Sequence, residues 1–260
     1  GDVEKALKPM LALKKEKKFS LIIGAEKTET PERYGVLELS NERVVKITEK
    51  PKKSGTVFKS NAVYLLPKKF FWYLRHVKTH EHSIIYALQD YIKAEKNVGA
   101  AKSGKTISLK YPWDVLEVNK ALLKEKARRS ISKKARVHKN AVIEGNVVIG
   151  DKAMIGPNVV IEGPAYIGEG TEIRSNCYIR PYSSIGRNCV LGFGTEIKNS
   201  VIYDRTKTHN NYLGDSVIDE DCRPGWRTVT ANRRLDRKNI FVRVNEKEVD
   251  TGTTSLGAFL

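Results

Sequence analysis

The chain has 260 residues, 40% hydrophobic and 30% charged, with a mean hydropathy of −0.43. That suffices for two ordinary domains with buried cores, and no apolar run approaches the roughly 20 residues that span a bilayer. Forty-seven Lys and Arg against thirty Asp and Glu leave a net charge of +17, more than solubility needs, and so favour a polyanionic partner such as RNA. Residues 1–130 hold 28 of the basic and 15 of the acidic side chains, so the excess belongs to the N-terminal half. The first thirty residues lack the pattern of a signal peptide, and Cys177, Cys189 and Cys222 are too scattered for a disulfide framework, so a cytoplasmic location is expected. Gly1 in place of Met, and a last segment that opens without completing a repeat, lead to the expectation that further sequence lies at both ends.

The first half alternates elements. Helical spacing over Leu7, Met10, Leu11 and Leu13 precedes apolar strand-like runs at Phe19–Ile23, Tyr34–Leu39, Val44–Thr48 and Ala62–Leu66. Helices are expected again at Lys68–Leu74, Ser83–Lys96 and Trp113–Lys126. The order implies an α/β domain over residues 1–128.

From Ile131 every sixth residue is aliphatic, through Val137, Ile143, Ile149, Ile155, Ile161, Ile167, Ile173, Ile179, Ile185, Leu191 and Ile197. Six residues make one short strand and one corner, and this period marks a parallel β-helix in which each aliphatic side chain points inward. Residues 129–260 therefore read as a left-handed β-helix with three hexapeptides per turn. The register fails at Tyr203, so residues 203–215 are expected to leave the coil as a loop excursion. Ile240–Val244 alternates like an exposed strand, and Leu256–Phe259 resembles the start of another coil.

An α/β domain followed by a hexapeptide solenoid, with Tyr34-Gly35, Glu49-Lys50-Pro51, Pro112-Trp113-Asp114 and Tyr212-Leu-Gly-Asp-Ser216, resembles the bifunctional sugar-1-phosphate nucleotidyltransferase and amino-sugar-1-phosphate N-acetyltransferase family. The resemblance implies a Rossmann-like nucleotidyltransferase domain, an acetyl-CoA-dependent β-helix, Mg2+ for nucleotidyl transfer, and a homotrimer formed through the solenoid. It also implies roles: His209 as the catalytic base that deprotonates the sugar amine, a task suited to a group titrating near neutral pH, and Arg180, Lys198, Tyr212 and Asn232 as contacts to the sugar phosphate.

Departures from the family pattern accompany these matches. The Gly-rich loop is not in the sequence, Gly1-Asp2 alone resembles one metal-binding segment, and the second metal carboxylate has no counterpart before Tyr111. Asn61-Ala-Val-Tyr64 is one residue short of the family's sugar-contacting segment. Arg223 stands for a sugar-binding Asn, and Gly225-Trp226-Arg227 replaces a Gly-Ala-Gly, so Trp226 and Arg227 are expected to fill the thioester's space. The resulting expectation is a degenerate, non-catalytic scaffold without cofactor or metal. The alternative is an active acetyltransferase using acetyl-CoA, with Mg2+ if nucleotidyl transfer survives.

Two basic runs would carry the scaffold's contact with RNA or a ribonucleoprotein such as the ribosome: Lys50, Lys52, Lys53, Lys59, Lys68, Lys69, Arg75 and Lys78, then Arg223, Arg227, Arg233, Arg234 and Arg237. Gly99-Ala-Ala-Lys-Ser-Gly104-Lys105-Thr106 fits a phosphate-loop pattern, but it follows a polar segment and leads towards a strand, the reverse of the context such a loop needs. His76, His80 and His82 lack companion ligands, and no metal is expected there.

Overall fold

The computed structural model describes the chain except Gly1, Lys53, Ser54, Thr56, Glu81, Lys105 and Ser108, and also leaves out the side chains of residues 2–5 and 33. Two compact units form, Gly1–Thr106 and Ile107–Leu260.

In the first unit α1 (Asp2–Lys17) leads into β1 (Leu21–Thr28), then β2 (Gly35–Ser40), β3 (Arg43–Glu49), β4 (Val57–Leu65), α2 (Phe70–His76), α3 (Ser83–Glu95) and β5 (Val98–Lys102). The strands run in the order β1-β4-β2-β3-β5, and β5 closes the set by pairing in parallel with β1 and meeting β3 at Arg43 and Gly99. β1 is apolar throughout its first half because both of its faces are covered. Leu21, Ile23 and Ala25 pack with Phe70, Leu88 and Tyr91, while Ile22 packs with Met10, Leu13 and Phe19. β5 was not expected from the sequence, and it contains the first half of the phosphate-loop pattern. A Cβ at Gly99 would lie 2.4 Å from the Phe19 ring, so this glycine serves strand packing. Lys105 of the pattern lies outside the described residues.

The second unit begins with α4 (Asp114–Lys126), which the sequence reading had placed in the first domain. Its Trp113 and Leu116 side pack with Val201 and Leu256, and the Asn119 amide donates to the Tyr182 carbonyl at 2.8 Å and accepts from the Ser184 hydroxyl at 2.6 Å. The coil then runs through β6 (Ser130–Ile131), β7 (Arg136–Val137), β8 (Val142–Glu144), β9 (Val147–Ile149), β10 (Met154–Ile155), β11 (Val160–Glu162), β12 (Ala165–Ile167), β13 (Glu172–Ile173), β14 (Tyr178–Ile179) and β15 (Ser183–Ile185). It continues as β16 (Val190–Leu191), β17 (Glu196–Lys198), β18 (Val201–Ile202), β19 (Tyr212–Gly214) and β20 (Val217–Ile218). Every third strand stacks in parallel, giving three sheets, and the inward aliphatics from Ile149 to Ile197 are all buried. Ile131 and Val137, in the first coil, remain partly exposed.

Residues 203–215 do not leave the coil. Val190 donates to the Thr206 carbonyl at 3.0 Å, Thr208 donates back to Val190 at 2.8 Å, and β19 pairs with β17. The period shortens instead, with Ile202, Thr208, Leu213 and Ile218 occupying the inward places that a six-residue count misses. The excursion comes later: β21 (Phe241–Val244) and β22 (Lys247–Asp250) form a hairpin, entered and left where Arg233 meets Ser255. Phe259 then pairs beside Val217 and restores the stack, as the sequence suggested for Leu256–Phe259.

Candidate functional site

The sheet formed by β8, β11, β14, β17 and β19 carries two outward columns, because residues on either side of each inward aliphatic point to solvent. Register pairs Tyr178 with Glu196 and Glu196 with Tyr212, while Lys198 lies opposite Gly214. Arg180 occupies the rung before Lys198, its amide donating to the Ile197 carbonyl at 2.8 Å. Two cations on neighbouring rungs, roughly 4.8 Å apart, repel unless neutralised, and each has its own carboxylate. Arg180 donates to Glu196 at 3.0 Å, which raises the guanidinium pKa, and Lys198 donates to Asp215 at 2.6 Å.

Asp215 is the hub of this face. It is 3% exposed, with a backbone φ of 50°, and its oxygens accept from Lys198, from the Asn199 amide at 2.8 Å and from the Asn232 amide at 2.5 Å. Asn232 also reaches the Tyr212 hydroxyl at 3.3 Å. Gly214 permits this approach, since a Cβ there would lie 2.6 Å from that hydroxyl. Lys198 and Asn232, two of the expected contacts, thus share one carboxylate, Tyr212 joins them through Asn232, and Arg180 stands one rung away. The sequence reading did not give Asp215 a role, although it stands within the Tyr212–Ser216 motif.

His209 lies at the next corner of the coil. Buried Asn211 fixes that corner by accepting from the His209 amide at 2.7 Å and donating to the Gly225 carbonyl at 2.6 Å. The His209 side chain is exposed and lines an open cleft of about 510 Å3 with Arg174, Gly192, Phe193, Lys207, Asn210, Arg223 and Trp226. Trp226 was expected to fill space. Instead it stands 67% exposed at the cleft, with the Arg227 guanidinium 4.4 Å from its ring centre.

The basic runs divide on inspection. Lys59 is buried at 6% exposure, paired with Glu26 at 2.8 Å and placed 3.5 Å over the Tyr34 ring, so it is not a surface contact. Glu26 accepts from the Thr106 amide at 2.6 Å as well. Lys69 pairs with Glu95, and Arg234 forks onto Asp236. Lys50, Lys52, Lys68, Arg75, Lys78, Arg223, Arg227, Arg233 and Arg237 are exposed, and Lys53 lies outside the described residues. Among the described residues no three His, Cys, Asp or Glu side chains converge as a metal site. Among the described residues no helix is long and apolar enough to cross a membrane.

A nucleotidyltransferase-type α/β unit joined to a hexapeptide solenoid is the class that this architecture defines. Residues 2–115 match the nucleotidyl transferase family, residues 130–163 the bacterial transferase hexapeptide (six repeats), and residues 161–243 the GMPPB C-terminal domain. The chain is similar to a bifunctional protein GlmU of Methanocaldococcus jannaschii, 38% identical over 90% of this chain and 58% of that protein. A bifunctional protein GlmU of Methanococcus maripaludis is 38% identical over 92% of this chain and 59% of its own length. The bifunctional sugar-1-phosphate nucleotidylyltransferase/acetyltransferase of Sulfurisphaera tokodaii is 35% identical over 94% and 61%. The chain is a homologue of these bifunctional sugar-1-phosphate nucleotidylyltransferase/acetyltransferases and spans about three fifths of their length.

Proposed function

We propose that the chain forms part of an enzyme of the sugar-1-phosphate nucleotidyltransferase/acetyltransferase type, and that its solenoid holds an amino-sugar 1-phosphate for N-acylation. One observation carries the reading: Lys198 and Asn232, 34 residues apart, both donate to the buried carboxylate of Asp215, and Asn232 links the Tyr212 hydroxyl to them. Lys198 and Arg180 would share the acceptor's phosphate with their own carboxylates, and Tyr212 and Asn232 would meet its hydroxyls. A polar network whose members are already bonded to one another is pre-arranged, so little ordering opposes binding.

His209, three residues from Tyr212 and held by Asn211, is the general base of this proposal. An acyl-coenzyme A supplies the activated acyl group when bound. The imidazole accepts the proton released by the sugar ammonium, and the freed amine then takes the acyl group as the thiol departs. The open cleft at His209 removes the ground for expecting Trp226 to block it. The scaffold reading keeps only exposed cations, which are usually solvated faces, and neither the matched families nor these relatives are described in terms of RNA.

Calorimetry with glucosamine 1-phosphate and glucosamine tests the acceptor face. Lys198→Met should weaken the phosphorylated sugar about tenfold and leave glucosamine nearly unchanged. Equal affinity of the two sugars for the native chain would refute the phosphate assignment.

A further inference from the structure

We propose that the outward face of α2 docks on an anionic lipid surface, with Phe71 and Trp72 entering the headgroup layer and Lys68 and Arg75 meeting its phosphates. The helix is short, but backbone bonds from the Phe70 amide to the Pro67 carbonyl at 2.9 Å and from the Phe71 amide to the Lys68 carbonyl at 3.2 Å carry its turn back to Pro67. Phe70 is fully buried, and Tyr73, Leu74 and Val77 pack with it against the core of the first unit. That inward set leaves Lys68, Phe71, Trp72 and Arg75 outward, at the i, i+3, i+4 and i+7 spacing of a single helix face. An outward face is ordinarily polar, yet here Phe71 is 50% and Trp72 59% exposed. Lys68 and Arg75 bracket the two rings, roughly 10 Å apart along the axis.

Charge and shape favour lipid over other occupants. Residues 51–80 contain no Asp or Glu. Among the described residues Lys68, Arg75 and Lys78 form no ion pair, whereas Lys69 is engaged by Glu95 at 2.7 Å. Glu95 also accepts from the Tyr73 hydroxyl at 2.7 Å, and the other carboxylate of α3, Asp90, shares an open cleft of about 460 Å3 with Lys93, Trp72 and His76. The face is therefore cationic. The His76 ring is stacked 4.1 Å from the Trp72 ring, which takes up part of the indole surface that a base would need. A nucleic-acid strand uses free ring faces in succession, whereas a bilayer interface takes an amphipathic indole at headgroup level with the aliphatic stems of Lys and Arg beside it. Apolar burial and attraction to anionic lipid then act together. The face shares no residue with the acceptor site or the His209 cleft, so the inference does not depend on the proposed acyl transfer.

Flotation of the full chain with vesicles tests it, comparing an equimolar mixture of phosphatidylglycerol and phosphatidylcholine with phosphatidylcholine alone. The mixed vesicles should carry the chain, less so as salt rises, and phosphatidylcholine alone should not. A chain of net charge +17 can adhere to anions elsewhere, so the aromatic pair decides. Phe71→Ser/Trp72→Ser should weaken binding roughly tenfold or more, and Lys68→Gln/Arg75→Gln about twentyfold, roughly fivefold per cation. These side chains are exposed, and circular dichroism of both variants should match the native chain. Brominated phosphatidylcholine reads the contact with α2 unaltered: in a Trp226→Phe chain, where Trp113 is buried, the mixed vesicles should quench Trp72. Equal binding to phosphatidylcholine alone, unchanged binding in Phe71→Ser/Trp72→Ser, or absence of quenching would overturn the proposal. Binding of poly(U) through the same two rings, without vesicle binding, would assign the face to RNA and overturn it equally.

Discussion

Two replacements of Asp215 distinguish an acceptor hub from a simple ion pair. Asp215→Asn keeps the shape and one carbonyl oxygen, which can still accept from Lys198 and Asn232 where Oδ2 does now, while Asn199 rotates its amide to meet the new NH2. What is lost is the charge assistance to Lys198, whose side chain is 25% exposed and partly hydrated; the cost should be about 1–2 kcal/mol. Asp215→Ala removes the acceptor from all three donors. Leaving two amides and an ammonium without it costs about 2–3 kcal/mol after partial rehydration of Lys198, and alanine at a φ of 50° adds about 1 kcal/mol that Asp and Asn largely escape. Urea unfolding followed through Trp113, buried in the same unit, should read the difference. With a slope of roughly 2 kcal/mol/M, the midpoint should fall by about 0.5–1 M for Asn and about 1.5–2 M for Ala. Equal shifts in the two variants would refute the hub, because an isolated ion pair loses the same charge in both.

The buried Glu26–Lys59 pair should behave differently from a surface pair: Lys59→Met should destabilise the first unit by about 3 kcal/mol, seen as faster hydrogen exchange in β1 and β4, and adding Glu26→Gln should restore most of it. Gly192→Ala should cost about 1–3 kcal/mol because the new Cβ meets the His209 backbone. Gly104→Ala, with nothing within 4 Å, should stay within about 0.5 kcal/mol of the native chain by the same urea assay. The fork from Arg234 holds the Asp236 carboxyl at about 2, below its ordinary 3.8. Its contribution is therefore complete above the ordinary value and lost as pH falls through about 2; a carboxyl carbon titration by NMR should show that midpoint, and one near 3.8 would contradict it.

The solenoid was legible because its core obeys one rule, an aliphatic residue at every sixth position, and the rule failed where the coil shortened. There Thr208 fills an inward place with its hydroxyl hydrogen-bonded, which no hydrophobic count detects. β5 was missed because Val98-Gly-Ala-Ala-Lys102 is made of small residues whose burial depends on β1 and Phe19, far away in sequence. Lys59 looked like part of a solvated run because Glu26, its partner, lies 33 residues earlier across a strand pair. Likewise Lys198, Tyr212 and Asn232 could be singled out one by one through resemblance, but Asp215 as the common acceptor of Lys198 and Asn232 follows only from stacking of the coils. The open cleft at His209 depended on Gly192 lying one rung below, a relation between turns of the coil.

The most direct test of the central claim is to incubate the chain with acetyl-CoA and glucosamine 1-phosphate and measure free thiol together with the mass of the sugar product. Stoichiometric thiol release and N-acetylated sugar phosphate, both abolished by His209→Ala while calorimetric binding of glucosamine 1-phosphate persists, is the predicted result. Native chain that binds glucosamine 1-phosphate but yields neither thiol nor acetylated product would contradict the account.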